Sequence, residues 1–333
     1  MTSATDSSVI IKGVGAYAPS KILTNDDLAK MVDTSDEWIH TRTGIRQRYI
    51  AGEQEPTSVM ATRAAEAALE NAGLEATDIE LIIVGTVTPD MPFPSTACLV
   101  QKNLQTRKIP AFDIEAACSG FIYVMDVAAA MMRAHGYKHA LIIGAEKMSS
   151  ITNWEDRATC VLFGDGAGAA VLSLDSTPNT GLLKSNLGAD GASADILQVP
   201  SLEETDPEAA KKDGSPANAI QMQGKEVFKS AVKVMCQSAI DIIADCNLTA
   251  DDIDLIIPHQ ANNRIIEALS QRLAVEMERF VINVDRYGNT SAASIPIALS
   301  EAYHAGRIKS GDKVLMVAFG GGLTWASALI QWQ

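Results

Sequence analysis

Along most of the chain, short runs of β-branched and apolar residues alternate with longer stretches in which apolar positions recur at helical spacing. The short runs read as buried strands and the periodic stretches as one face of a helix, so the pattern predicts an α/β fold. Strands are expected over 9–14, 79–86, 111–115, 139–145 and 169–174, with helices over 58–72, 95–104 and 121–133. The same signals return later as a strand at 253–257 and a helix at 294–305. Comparison of the chain with itself pairs residues 74–83 (LEATDIELII) with 248–257 (LTADDIDLII), each after a helix-like stretch. Near that register, the helix after Cys118 and the strand at 139–145 match the helix after Asn289 and a strand at 313–318. A repeat of this length marks two halves of one fold. The halves are expected at 1–178 and 179–333, with the polar stretch 201–219 as an exposed connection. The match loosens at the glycines, because 164–168 lie further along their half than 320–322 do in theirs.

Composition narrows the class. With 333 residues and 47% hydrophobic positions, the chain has ample material for a large core. Residues 1–8 are polar and lack the basic start and apolar run of a signal peptide, and no apolar stretch reads as membrane-spanning, so a soluble cytoplasmic protein is expected. A net charge of −14 opposes nonspecific binding to nucleic acid or anionic membrane, although a local basic patch is compatible with it. The cysteines at 98, 118, 160, 236 and 246 are odd in number and lack metal-ligand spacing, which suits a reducing compartment and no bound metal.

One cysteine stands apart. Cys118 follows an apolar strand and precedes a helix, and a helix N-terminus favours the thiolate. His259 follows the strand at 253–257, and Asn289 precedes the helix at 294–305. All three therefore stand where α/β folds place functional groups, after strands and before helices. The order Cys, His, Asn also fits papain-like cysteine hydrolases, but the flanking residues and the α/β repeat do not. A dinucleotide site at Gly164-Asp-Gly-Ala-Gly168 is disfavoured because strand, not helix, follows it; a tight hairpin between strands is expected instead. A noncatalytic binding subunit is disfavoured by the intact set of Cys118, His259 and Asn289.

Six motifs carry a resemblance that covers nearly the whole chain: DEWIHTRTGI at 36–45, AACSG at 116–120, RATCVLFGDGAG at 157–168, HQANNR at 259–264, GNTS at 288–291 and GGGLTW at 320–325. With these the sequence resembles β-ketoacyl-acyl carrier protein synthase III, the initiating condensing enzyme of type II fatty acid synthesis. The resemblance implies a five-layered α/β/α/β/α thiolase fold of two duplicated halves, a homodimer, and no tightly bound cofactor. It also implies acyl transfer from a coenzyme A thioester to Cys118, then decarboxylative condensation with malonyl-acyl carrier protein. A relative that primes a polyketide or other secondary pathway is the alternative.

The resemblance further implies roles for individual residues. The backbone N–H groups of Cys118 and Gly321 form the oxyanion hole, while His259 and Asn289 stabilise the enolate left by decarboxylation. Trp38 and Arg157 clamp the adenine of coenzyme A, with Arg42 near the phosphates and Thr34 and Asn262 as polar contacts. Lys229 and Arg264, with Gln260, Ala261, Asn262 and Asn263 at the mouth, meet the acidic carrier protein. Lys225, Lys229 and Lys233 share one helical face, which supplies the expected basic patch. Met148 and Phe163 line the acyl pocket, and Phe93 closes it across a dimer interface. These residues leave acetyl, branched short-chain and longer primers all open.

Overall fold

The computed structural model describes residues 8–201 and 216–333. The first half runs β1 (Ser8–Tyr17), β2 (Lys21–Thr24), α1 (Asn25–Leu28), α2 (Asp36–Thr43), β3 (Gln47–Ile50), α3 (Thr57–Ala72), β4 (Leu81–Gly85), α4 (Thr96–Leu104), β5 (Ala111–Ile114), α5 (Gly120–His135), β6 (His139–Lys147) and β7 (Asp165–Asp175). The second runs β8 (Gly181–Ala189), β9 (Leu197–Gln198), β10 (Gln221–Met222), α6 (Gly224–Asp245), β11 (Leu255–Pro258), α7 (Asn263–Leu273), α8 (Val284–Tyr287), α9 (Ser294–His304), β12 (Lys313–Gly320) and β13 (Thr324–Gln331).

Two main sheets result, ordered β1-β7-β6-β4-β5 and β8-β13-β12-β11, beside two antiparallel pairs, β2-β3 and β9-β10. Strands joined through a helical crossover pair in parallel, β4 with β5 and β6, and β11 with β12; the remaining pairs are antiparallel. The second sheet thus repeats four strands of the first. The counterpart of β5 is reduced to a single parallel bridge, Phe280 to Ile256. The paired sequences at 74–83 and 248–257 have the same local structure: a 3-10 turn (Ala76–Asp78, Ala250–Asp252) held by a reciprocal cap and followed by an apolar strand.

Alternation along the strands builds the layers. Leu81 and Ile83 of β4 face one cluster, with Leu255 and Ile257 of β11 and the apolar faces of α5 and α9, while Ile82 and Val84 face α3 and α4 on the other side. On the second sheet, Ile256, Leu315 and Val317 face α6 and α7. Helices, sheet, central helices, sheet and helices therefore stack in five layers, with both sheets covered on both faces. The central layer also corrects one expectation. The turn and helix over Ala117–His135 are long and apolar enough, at 19 residues, to cross a membrane by length and composition. Their place between two sheets accounts for it, since most of these residues are buried against apolar neighbours.

Two further expectations change. Gly166 and Gly168 form no hairpin; they lie within β7, which pairs along its length with β1 and β6. A Cβ on Gly168 would stand 2.6 Å from the backbone nitrogen of Ile297, so glycine here lets α9 press against the sheet. Most of the stretch expected as an exposed connection, 202–215, lies outside the described residues, and where description resumes Ala217 and Ala219 are buried. The loosened match at the glycines has a simple cause. Residues 148–164 separate β6 from β7, whereas only Gly321–Leu323 separate β12 from β13.

Candidate active site

The two halves meet at a pair of matching turns. Ala117–Ser119 leads into α5 and Ser291–Ala293 into α9, and each turn begins with a left-handed residue, Ala117 at φ 46° and Ser291 at φ 49°. Each turn also packs on a strand glycine of the opposite half. A Cβ on Gly144 would collide with the carbonyl oxygen of Ala292, and one on Gly320 would come within 2.6 Å of the Cys118 nitrogen. This double contact fixes Cys118 at the centre of the molecule, where it is 9% exposed.

Burial reverses the expected ionisation of that thiol. Loss of solvation pushes Cys118 up to about 12, with Glu146 and Glu115 adding to the rise and a hydrogen bond with the Ser291 hydroxyl opposing it. At rest the sulfur is a thiol, although a helix begins at Gly120. The helix end can still favour the anion once a reaction starts to form it.

His259 closes β11 and is 3% exposed. Burial pushes its imidazole down to about 3, so the ring is neutral at ordinary pH. Nδ1 lies 2.6 Å from Ser294 Oγ, the first residue of α9. Ser294 Oγ also accepts the Gln260 backbone N–H at 3.4 Å, and with its own proton turned to Nδ1 the ring proton stands on Nε2. Asn289 is held through its backbone: its N–H donates to Leu162 O at 2.8 Å, and its carbonyl accepts from Gly164 N at 3.1 Å. Its Oδ1 accepts the Ser291 N–H at 2.9 Å, so its amino group is the end left to donate. Two neutral donors therefore converge near one buried sulfur.

Cys118 lies where two cavities meet. One, of about 120 Å³, is lined by Cys118, His259, Asn289, Asn262, Phe228 and Phe163 among others. The second, of about 420 Å³, extends past Cys118 among Val87, Met148, Ile151, Leu197, Val199 and Ile220, with Gly321 at its wall. Met148 and Phe163 stand where the sequence suggested, whereas the remaining apolar liners were missed because they come from separate, distant segments. Phe93 does not line this chain's cavity; it is 85% exposed on the surface. The segment carrying Arg157 and Phe163 is anchored by the fully buried Arg48, which donates to Val161 O at 2.7 Å and to Asn25 Oδ1 at 2.9 Å.

The remaining predicted residues fall into two neighbouring groups. Ser35 caps α2 by accepting the Trp38 N–H, and the four-residue spacing puts Trp38 and Arg42 on one face. Both guanidinium groups flank the indole, Arg42 at 4.4 Å and Arg157 at 5.0 Å from the ring centre. Asn262 caps α7 by accepting the Arg264 N–H and donates to the Arg42 carbonyl at 3.1 Å, which joins this group to the cavity. Thr34 differs from expectation, since its hydroxyl is covered and makes no hydrogen bond among the described residues. Gln260 is likewise buried, donating to Pro258 O and Val281 O, and so supports the mouth from beneath. Ala261 and Asn263 lie partly exposed beside it, with Asn263 donating to Glu267. Arg264 is exposed and rests over Phe228 of α6 at 5.6 Å, next to the lysine face; Lys229 there is paired with Glu226 at 2.9 Å.

Three polar residues of the site were missed in the sequence: Ser291, Ser294 and Glu146. Ser291 ends a motif already singled out, Ser294 lies three residues beyond it, and Glu146 is a lone acid near the end of an apolar strand.

The models of 3-oxoacyl-[acyl-carrier-protein (ACP)] synthase III and of its C-terminal region match residues 112–191 and 243–332. A β-ketoacyl-[acyl-carrier-protein] synthase III of Caldanaerobacter subterraneus subsp. tengcongensis is 54% identical over 322 residues, 97% of each chain. Among solved structures, 3-oxoacyl-[acyl-carrier-protein] synthase III of Aquifex aeolicus has a TM-score of 0.90 and 47% identity, covering 97% of this chain and 100% of that one. A priming β-ketosynthase of a polyketide biosynthetic pathway also reaches a TM-score of 0.90, at 35% identity over 98% of this chain and 96% of that one.

Proposed function

Because the chain belongs to the 3-oxoacyl-[acyl-carrier-protein] synthase III family of thiolase-fold condensing acyltransferases, we propose that Cys118 accepts an acyl group from a coenzyme A primer and passes it to malonyl-acyl carrier protein. The observation that carries this reading is a thiol at the junction of two cavities, facing a neutral buried imidazole and an oriented carboxamide. In the first half-reaction the sulfur attacks the thioester carbonyl, the backbone N–H groups of Cys118 and Gly321 receive the oxyanion, and coenzyme A leaves. In the second, malonyl loses carbon dioxide and its thioester oxygen gathers the charge. Nε2–H of His259 and the amino group of Asn289 are the donors for that oxygen. Neither has to act as a base, because decarboxylation supplies the carbon nucleophile. No tightly bound cofactor is required by this sequence of steps.

The flanking groups support the same reading. An indole with two guanidinium groups close over its ring suits a flat adenine with phosphates nearby, and the exposed lysines and Arg264 beside the mouth suit an acidic carrier protein. The exposed Phe93 and the open edge of β5 support a homodimer. Both substrates are water-soluble, which goes with a cytoplasmic location. Identity of 54% to a synthase III, against 35% to the polyketide-priming enzyme, favours fatty acid initiation.

Intact-protein mass after incubation with a panel of acyl-coenzyme A primers tests the reading. One acyl group should be added at Cys118, and addition of malonyl-acyl carrier protein should remove it with release of carbon dioxide. Absence of labelling by every primer would overturn it.

A further inference from the structure

Glu146, near the end of β6, has no exposed surface, and all its hydrogen-bond donors are neutral. Thr86 Oγ1 at 3.1 Å, the Val87 N–H at 3.1 Å and Thr88 Oγ1 at 2.6 Å donate to Oε2, while Ser291 Oγ donates to Oε1 at 3.0 Å. A carboxylate buried among neutral dipoles is costly to keep charged, and burial pushes this one up to about 7. Ser291 is the link to the chemistry. Ser291 lines the same cavity wall as Cys118 and its hydroxyl favours ionisation of that thiol, so sulfur, hydroxyl and carboxyl stand in sequence from the cavity into the core. The other titratable groups facing this chain are Glu115, at the end of β5, and the neutral His259 across the cavity. Lys147, the next residue after Glu146, turns its ammonium away to the Gly52 carbonyl at 2.8 Å.

We propose that Ser291 and Glu146 take up the proton Cys118 gives up on attacking an acyl thioester, and return it when condensation frees the sulfur. The inference rests on the acyl-cysteine reading above. As the carbon–sulfur bond to Cys118 forms and that to coenzyme A breaks, the thiol proton moves to Ser291 Oγ and the Ser291 proton to Glu146 Oε1. Coenzyme A leaves as a thiolate and takes a proton from water. In the second half-reaction the malonyl carbon–carbon bond breaks and its electron pair forms the new bond to the acyl carbon. The pair from the broken Cys118–acyl bond goes to sulfur, which is reprotonated through Ser291 from Glu146. The physical advantage is that the buried cluster carries one negative charge before and after proton transfer, so no second charge has to be buried. Ser291 shares the cavity wall with the reacting sulfur, whereas Glu146 acts through Ser291.

The test is the rate of Cys118 acylation by acyl-coenzyme A alone, followed by intact mass from pH 5.5 to 9. In the unaltered enzyme the rate should fall as pH drops through about 7, where Glu146 becomes protonated and can no longer accept. Glu146→Gln can keep the Val87 and threonine contacts through its carbonyl and donate to Ser291, but it cannot take the proton. It should lose that pH dependence and acylate about tenfold or more slowly. Glu146→Asp should restore part of both, a recovery that a purely structural role for Glu146 would not produce. Ser291→Ala should match Glu146→Gln, and it decides the matter if Glu146→Gln does not fold. Wild-type rates with the same pH dependence in Ser291→Ala, or in folded Glu146→Gln, would overturn the inference alone. Failure of the unaltered enzyme to acylate would overturn the acyl-cysteine reading and this inference with it.

Discussion

Ser294 is the hydrogen-bond partner of His259 Nδ1, and when its hydroxyl donates there the imidazole keeps its proton on Nε2 to donate toward the cavity. Without the hydroxyl, the neutral ring is free to hold its proton on either nitrogen. Ser294→Ala should therefore slow condensation with malonyl-acyl carrier protein about tenfold while leaving acylation of Cys118 by acyl-coenzyme A near the wild-type rate; separate assays of the two half-reactions would show the split. Equal losses in both would remove Ser294 from this role. At this scale the sequence is informative about residues that interrupt a pattern, and Cys118, His259 and Asn289 all do so at element ends. Ser291, Ser294 and Glu146 are silent in it because their roles depend on contacts across the two halves: Ser291 with Glu146, and Ser294 with the end of β11. The ionisation of Cys118 was misjudged for a related reason. A helix end is visible in sequence, but the depth at which it is buried is set by the opposite half.

Elements rather than single residues organise the approach to the site. The α2 helix carries Trp38 and Arg42 on one face, the cap of α7 fixes the Arg42 carbonyl, and Arg264 leans on α6. Two substitutions separate these surfaces. Trp38→Ala should raise KM for acyl-coenzyme A about tenfold with little change in kcat, because it removes a binding face remote from the sulfur. Arg264→Glu should weaken use of malonyl-acyl carrier protein about tenfold, more strongly at low salt, while sparing acyl-coenzyme A. Steady-state kinetics with each substrate varied in turn distinguish the two outcomes, and equal effects on both substrates would contradict the assignment. The expected strands and long helices match the structure to within a few residues, whereas β8 and β13 of the second sheet carried no expectation. The hairpin at Gly166 and Gly168 was wrongly expected, because a glycine serving a turn and a glycine serving close packing look alike in one dimension.

At the scale of the molecule, catalytic geometry depends on how closely the halves approach. A Cβ at Gly320 would sit 2.6 Å from the Cys118 nitrogen, and one at Gly168 an equal 2.6 Å from the Ile297 nitrogen. The clashes are alike but their consequences should differ. Gly320→Ala shifts the backbone that carries the sulfur and the N–H proposed as an oxyanion donor, so acylation should fall about 100-fold. Gly168→Ala disturbs packing away from the cavity and should lower stability by roughly 1–3 kcal/mol with less effect on the acylation rate of the folded protein. Acylation rates and thermal unfolding of the two variants provide the comparison. The duplication behind these contacts was readable from residues 74–83 and 248–257, whereas the closeness of the join depends on three-dimensional packing.

The matching turns also bear on stoichiometry. A duplicated fold offers two places for a nucleophile, but the position equivalent to Cys118 in the second turn is Ala292, and the long segment between β6 and β7 has only Gly321–Leu323 as its counterpart. The first half holds the sulfur, while the second supplies the imidazole, the carboxamide and most of the wall around them. Acyl loading should therefore saturate at one equivalent per chain however large the excess of primer, and neither half would be expected to work when separated from the other.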